Sequence, residues 1–296
     1  MALRPSFSEV DEPAQIYVVA ADSNAVLQLD PSPHAQDHLA KGKISTTGYP
    51  SGSPVSLAFD SSGALFIADF AHKSILSQPP SEGEMQDGDF APLVGDYEGK
   101  QFLGPNSLCF DGNGTLFFTD SGPMGDTSLA SPKGSVFCVS TEDQLLKPLA
   151  LECLAHPSGI AASEDGRTVY VAETMANRIL RFVKSSTGVF LCSVYYQFSG
   201  GFGPTALAVG KEGRLYVARF DFAKVDQLED DPSPVRGKIT ILSSEAIVIG
   251  ESVAPGPEVV ALLLSVDESK EECVYVIEQS NMEIYRASVA DLIDRA

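Results

Sequence analysis

A two-strand signature recurs along this chain with a spacing of about 50 residues. Its clearest copy runs from Gly104 to Gly122, where Leu108, Phe110, Leu116 and Phe118 are apolar at alternate positions around the turn Asp111-Gly-Asn-Gly114. Gly and Asn tolerate positive φ, so this reads as a β-hairpin. Prolines at positions 54, 105, 157, 204 and 257 open five copies, and Pro5 opens a weaker one at the start. The second strands follow as Ala64-Leu-Phe-Ile-Ala-Asp69, Thr168-Val-Tyr-Val-Ala-Glu173, Arg214-Leu-Tyr-Val-Ala-Arg219 and Cys273-Val-Tyr-Val-Ile-Glu278. A chain of such units must bury each apolar face against its neighbour.

Six units with no alternation of strand and helix predict an all-β fold. The expected form is a six-bladed β-propeller with four-stranded antiparallel blades, spanning residues 1–296 as one domain. Both end units look like the inner ones, which disfavours an open solenoid with special caps. The tail, residues 290–296, reads as a short strand or a helical turn. Two stretches exceed ordinary turn length: residues 121–133 in unit three and 221–236 in unit five. No residue is Trp, which removes the Trp-Asp repeat signature.

Composition narrows the partners. The net charge is −20, which disfavours a nucleic-acid backbone or an anionic membrane as partner. No apolar run reaches the length of a membrane helix. The start of the chain shows no apolar leader. Five cysteines, at 109, 138, 153, 192 and 273, are odd in number and scattered, so all are expected free, in a reducing and cytoplasmic setting. Four histidines are scattered, and the P-loop, HExxH and GxSxG patterns are absent.

The units resemble the superfamily of SMP-30/gluconolactonases, strictosidine-synthase-like proteins and NHL repeats. Gly104 to Asp120 carries the likeness, as does Ser158 to Phe182, Ser-Gly-Ile-Ala-Ala-Ser-Glu-Asp-Gly-Arg-Thr-Val-Tyr-Val-Ala-Glu-Thr-Met-Ala-Asn-Arg-Ile-Leu-Arg-Phe. The resemblance implies a propeller whose first strands line the axis, with one divalent cation at the channel mouth. The residues after the prolines would face that mouth: Ser6, Val55, Asn106, Ser158, Thr205 and Glu258. Asn106 matches the family's ligand pattern. Ser158 stands where Asn is expected and Thr205 where Asp is expected, while unit one offers Ser6. Asn106 and Glu258 are therefore the candidate ligands for a Ca²⁺ or Zn²⁺ ion, and the expectation is a largely lost site, since Ca²⁺ wants 6–8 oxygens.

The second strands end in Asp22, Asp69, Asp120, Glu173, Arg219 and Glu278. Either these form a negative mouth that concentrates cations, or each accepts backbone N–H groups at a turn; the second is the expectation. Two functional readings follow. The first is a non-catalytic propeller that binds a protein or small ligand bearing basic groups, through Asp226, Glu229, Asp230 and Asp231 of the unit-five insertion. The alternative is a metal-dependent lactonase or esterase with a remodelled site.

Overall fold

The computed structural model describes residues 1–4, 15–20, 25–30, 43–47, 52–80, 90–221, 236–266 and 271–293. Unit one comprises β1 (Ala2–Arg4), β2 (Gln15–Ala20), β3 (Ala25–Asp30) and β4 (Lys43–Thr47). Unit two comprises β5 (Pro54–Phe59), β6 (Leu65–Asp69), β7 (Ser74–Gln78) and β8 (Ala91–Val94). A two-stranded ribbon, β9 (Asp96–Tyr97) and β10 (Lys100–Gln101), leads into unit three. That unit holds β11 (Pro105–Phe110), β12 (Leu116–Asp120), β13 (Gly134–Val139) and β14 (Leu146–Leu154). Unit four holds β15 (Pro157–Ala162), β16 (Thr168–Glu173), β17 (Arg178–Lys184) and β18 (Phe190–Gln197). Unit five holds β19 (Gly203–Val209), β20 (Leu215–Phe220), β21 (Lys238–Leu242) and β22 (Val248–Val253), and the last unit holds β23 (Val259–Val266), β24 (Glu272–Glu278) and β25 (Glu283–Ser288).

Each unit is an antiparallel meander in chain order. The hairpin turns form as their residues dictate. Asp111 Oδ1 accepts the amides of Asn113 and Thr115 at 2.9 and 2.8 Å, and Asp60 does the same for Ser62 and Ala64. The expectation of four strands throughout is corrected at the end of the chain. Five sheets have four strands; the last described sheet has three. The tail there forms α1 (Val289–Ile293), whose Val289 and Leu292 are buried with Ile241 and Val274. Apolar residues three apart put one face of this single turn onto the sheet, which a strand could not do.

The core lies between units rather than inside any one of them. Tyr17, Val26, Leu57 and Ile67 join units one and two. Phe118, Phe137, Ala68 and Ile75 join units two and three, and Phe117, Val136, Ile160 and Val169 join three and four. Tyr170, Ile179, Leu207 and Val217 continue into unit five. Tyr216, Ile241, Val259 and Val274 reach the last unit, and Ile16 of unit one packs with Cys273 and Tyr275. Successive first strands lie side by side, β5 on β11, β11 on β15, β15 on β19 and β19 on β23. This is the radial packing of a β-propeller, with the first strands innermost. Among the described residues no helix is long and apolar enough to cross a membrane, and none of the five cysteines is joined in a disulfide.

Candidate functional site

The register of every described first strand that follows a proline slips just past it. The slips fall between Pro54 and Ser56, Pro105 and Leu108, Pro157 and Ile160, Pro204 and Ala206, and Val259 and Ala261. A β-bulge re-aims the side chains that it leaves unpaired. Val55, Asn106, Ser158 and Thr205 sit in these bulges, and Glu258 precedes the one in the last unit. Ser6 lies outside the described residues, as do Asp22, Asp226, Glu229, Asp230 and Asp231.

What these side chains can do depends on what already holds them. The Ser158 hydroxyl is buried and bonds the Thr174 hydroxyl at 2.6 Å. Thr174 in turn donates to the carbonyl of Pro204 in unit five at 2.8 Å. Thr205 donates to Val259 of the last unit at 2.7 Å. Thr119 donates to Ser158 O at 2.7 Å. A hydroxyl of one unit thus ties the first strand of the next, three times in succession. Ser158 and Thr205 belong to this ladder, so their hydroxyls serve the joints between units.

Asn106 and Glu258 differ. Asn106 Nδ2 donates to Ser121 Oγ at 3.1 Å, which leaves its second N–H and its Oδ1 for a ligand. The Glu258 side chain is half-buried and makes no hydrogen bond or ion pair among the described residues, although its amide is held. Among the described residues no group of three His, Cys, Asp or Glu is placed to hold a metal. With two hydroxyls committed elsewhere, the described donors do not make up a hard-cation cage.

The acids that close the second strands are caps. Asp69 accepts from Ser53 N and His72 N. Asp120 accepts from Leu103 N and Gly104 N at 3.0 and 2.7 Å. Glu173 accepts from Ala155 N at 2.8 Å and pairs with Arg178. Glu278 accepts from the amides of Glu258, Ser280 and Asn281. All four are buried. Burial raises the Asp120 carboxyl above its ordinary value, against the two amides that lower it. In Glu278 burial pushes the same way, but the hydrogen bonds from Ser280, Glu258 and Asn281 outweigh it and hold the carboxyl below its ordinary value. These four carboxylates therefore fasten the segment that enters their own unit.

The glycine that enters unit five follows from the same geometry. Gly203 has φ +148°, and a Cβ there would stand 2.2 Å from the Thr174 carbonyl oxygen. Only Gly tolerates both.

Sequence reasoning missed a polar cavity between units four and five. It has a volume of about 360 Å³ and is lined by Phe198, Arg219, Lys238, Thr240 and Glu251 among others. The signal was the basic residue in the acidic series, Arg219.

The sequence profile of the SMP-30/gluconolactonase/LRE-like region matches residues 10–241. Lactonase drp35 of Staphylococcus saprophyticus is 31% identical over 151 residues, covering 50% of this chain and 41% of that protein. The chain spans less than two thirds of the length of the curated relatives it matches. A solved gluconolactonase from Xanthomonas campestris superposes with a TM-score of 0.63 at 19% identity, over 90% of this chain and 82% of the other. Regucalcin of Agrobacterium tumefaciens, described as a calcium-binding protein, superposes with a TM-score of 0.64 at 16% identity, over 90% and 83% of the two chains. The inter-unit core, the bulged inner strands and a profile match over more than half the sequence lead to one conclusion: the chain belongs to the SMP-30/gluconolactonase/LRE-like family.

Proposed function

We propose that this chain is a lactone-type hydrolase acting at the inner-strand mouth, and that the three-stranded last unit closes the ring as a sixth blade. The single observation that carries the hydrolase reading is the stretch shared with lactonase drp35. The side chains at the mouth are compatible with it. Glu258 is an uncommitted carboxylate on the segment that enters the last unit, and Asn106 keeps a free amide N–H. In this reading Glu258 takes a proton from a water as the water oxygen bonds to the lactone carbonyl carbon. The Asn106 N–H steadies the oxygen that gains charge. The ring C–O bond then breaks, its oxygen receives the proton from Glu258, and a hydroxy acid leaves. Because the described donors do not make a cation cage, no step is assigned to a metal ion.

The test is turnover of a panel of sugar and aromatic lactones by the purified protein, with EDTA and with added Ca²⁺, Mn²⁺ or Zn²⁺. The expected result is hydrolysis that falls at least about tenfold in Asn106→Ala and in Glu258→Gln. Absence of turnover under every condition overturns the hydrolase reading.

A second reading is favoured by the hydroxyl ladder, because Ser158 and Thr205 are spent on structure. In it the family's ion site has given way to a binding face, with Asp226, Glu229, Asp230 and Asp231 receiving a partner that carries basic groups. Deleting residues 226–234 would then abolish capture of a Lys/Arg-rich partner while leaving the melting temperature unchanged. Unaltered capture sinks that reading.

A further inference from the structure

The four described acidic caps accept amide hydrogens from the segment that leads into their unit. Unit five inverts this polarity. At the equivalent register Arg219 donates from Nη2 to the carbonyl of Gly200 at 3.2 Å. Its guanidinium lies 4.3 Å over the ring of Phe198. The residue is 8% exposed, and its Nε–H is buried with no hydrogen-bond partner. A buried donor left unmade costs about 1–3 kcal/mol, more when charged. Such a group in a native fold calls for an explanation.

The surroundings indicate what kind. Glu251 forms an ion pair with the guanidinium, its Oε2 3.6 Å from Nη1, but makes no hydrogen bond to it. That carboxylate is already taken by Lys238 at 2.7 Å and Thr240 at 3.2 Å. Asp221 lines the same cavity, so the two cations and two carboxylates balance before any ligand enters. A guanidinium presents paired N–H groups that match the two oxygens of a carboxylate, and burial strengthens such a pair. The cavity of about 360 Å³ that Arg219 lines is polar.

We propose that this cavity, between β18 and the β20–β22 strands, is a binding site for a small hydroxylated carboxylate held by the Arg219 guanidinium with Lys238 beside it. The site lies outside the bulged inner strands and does not rest on the hydrolase reading. The net charge of −20 repels anions in general, so saturable uptake of one requires a local site of this kind.

The probe is glycerate, with glycerol as its neutral counterpart, added to ¹⁵N-labelled protein. The expected result is a saturable shift of one arginine Nε–H resonance, absent from the spectrum of Arg219→Gln, with no response to glycerol. Glycerate affinity measured by calorimetry should fall about tenfold or more in Arg219→Gln. If that variant fails to fold, Lys238→Met serves instead. It frees Glu251 to compete for Arg219, and affinity should drop several-fold. The proposal is overturned if no arginine Nε–H moves, if glycerol acts as glycerate does, or if affinity is unchanged in the folded variant. Because the readout is Arg219 itself, the result is separable from any measurement of turnover.

Discussion

The Oε1 of Glu278 accepts the backbone N–H of Glu258 at 2.9 Å. The residue proposed as a base is thus held in place by a buried acid one hairpin away. Replacing Glu278 by Gln exchanges one acceptor oxygen for an amide donor that faces a cluster of N–H donors. The expected loss is about 1–3 kcal/mol at pH 7, from buried hydrogen bonds left unmade. The pH dependence has a definite sign. Hydrogen bonds hold the Glu278 carboxyl below its ordinary 4.5. Its contribution is therefore fully present above pH 4.5 and is lost as pH falls through the lowered value. Asp120, raised from 3.8, acts in the opposite sense. The difference between wild type and Glu278→Gln in urea unfolding, measured from pH 7 to pH 3, isolates the Glu278 part. It should shrink as the pH falls; a constant difference would refute the cap.

Gly203→Ala should be among the more damaging small substitutions. Its Cβ would overlap the Thr174 carbonyl, and its φ of +148° is one that an Ala rarely adopts. A loss of about 2 kcal/mol or more is expected by chemical denaturation. Gly188→Ala is the comparison: its φ is also positive, at +84°, but nothing lies within 4 Å of the added Cβ. That change should cost clearly less.

Much of this architecture is legible in the sequence because a propeller repeats its constraints. The proline entry and the alternation of apolar residues recur from unit to unit, and an Asp turn closes the hairpin in units two and three, so a weak local signal is reinforced by copies. The cap role of Asp120 and Glu278 could be read the same way. The last unit departs because Val289 and Leu292 satisfy a helical spacing that only the finished surface of β22 selects. The hydroxyl ladder was not legible. Ser158 and Thr205 look like degraded ligands along the chain, and only the neighbouring unit's carbonyls give them a structural use. Arg219 broke the acidic series, yet the cavity it lines is made by Phe198 and Glu251 from two different units, which no local pattern reports.

The five thiols should separate by location. Cys153 and Cys192 are exposed on the outer strands β14 and β18, whereas Cys138 and Cys273 are buried and Cys109 is half-buried. Burial pushes the Cys109 thiol up to about 12 and Cys138 to about 11. The thiolate is the reacting form, so those two should be inert near neutral pH. Alkylation of the native protein followed by mass spectrometry should label Cys153 and Cys192 first, and all five only after unfolding. Rapid native labelling of Cys109 would show that the joint between units three and four opens.

The hydroxyl ladder predicts that Thr174→Val, nearly isosteric, removes two interactions at once. The Pro204 carbonyl loses its 2.8 Å donor and the Ser158 hydroxyl loses its 2.6 Å partner. Both lie in buried surroundings at the joint between units four and five. The expected cost is about 1–3 kcal/mol. Thr187→Val, where the hydroxyl bonds only Ser185 in an exposed turn, should change stability by less than about 0.5 kcal/mol. The ladder also predicts coupling between joints. Thr174→Val and Thr205→Val act at adjacent residues of β19, since Thr174 donates to the Pro204 carbonyl and Thr205 donates to that of Val259. The double variant should therefore depart from additivity by more than about 0.5 kcal/mol in a double-mutant cycle. Strict additivity would mean that each hydroxyl fastens its own joint independently, and the chain of hydroxyls would then be three separate bonds.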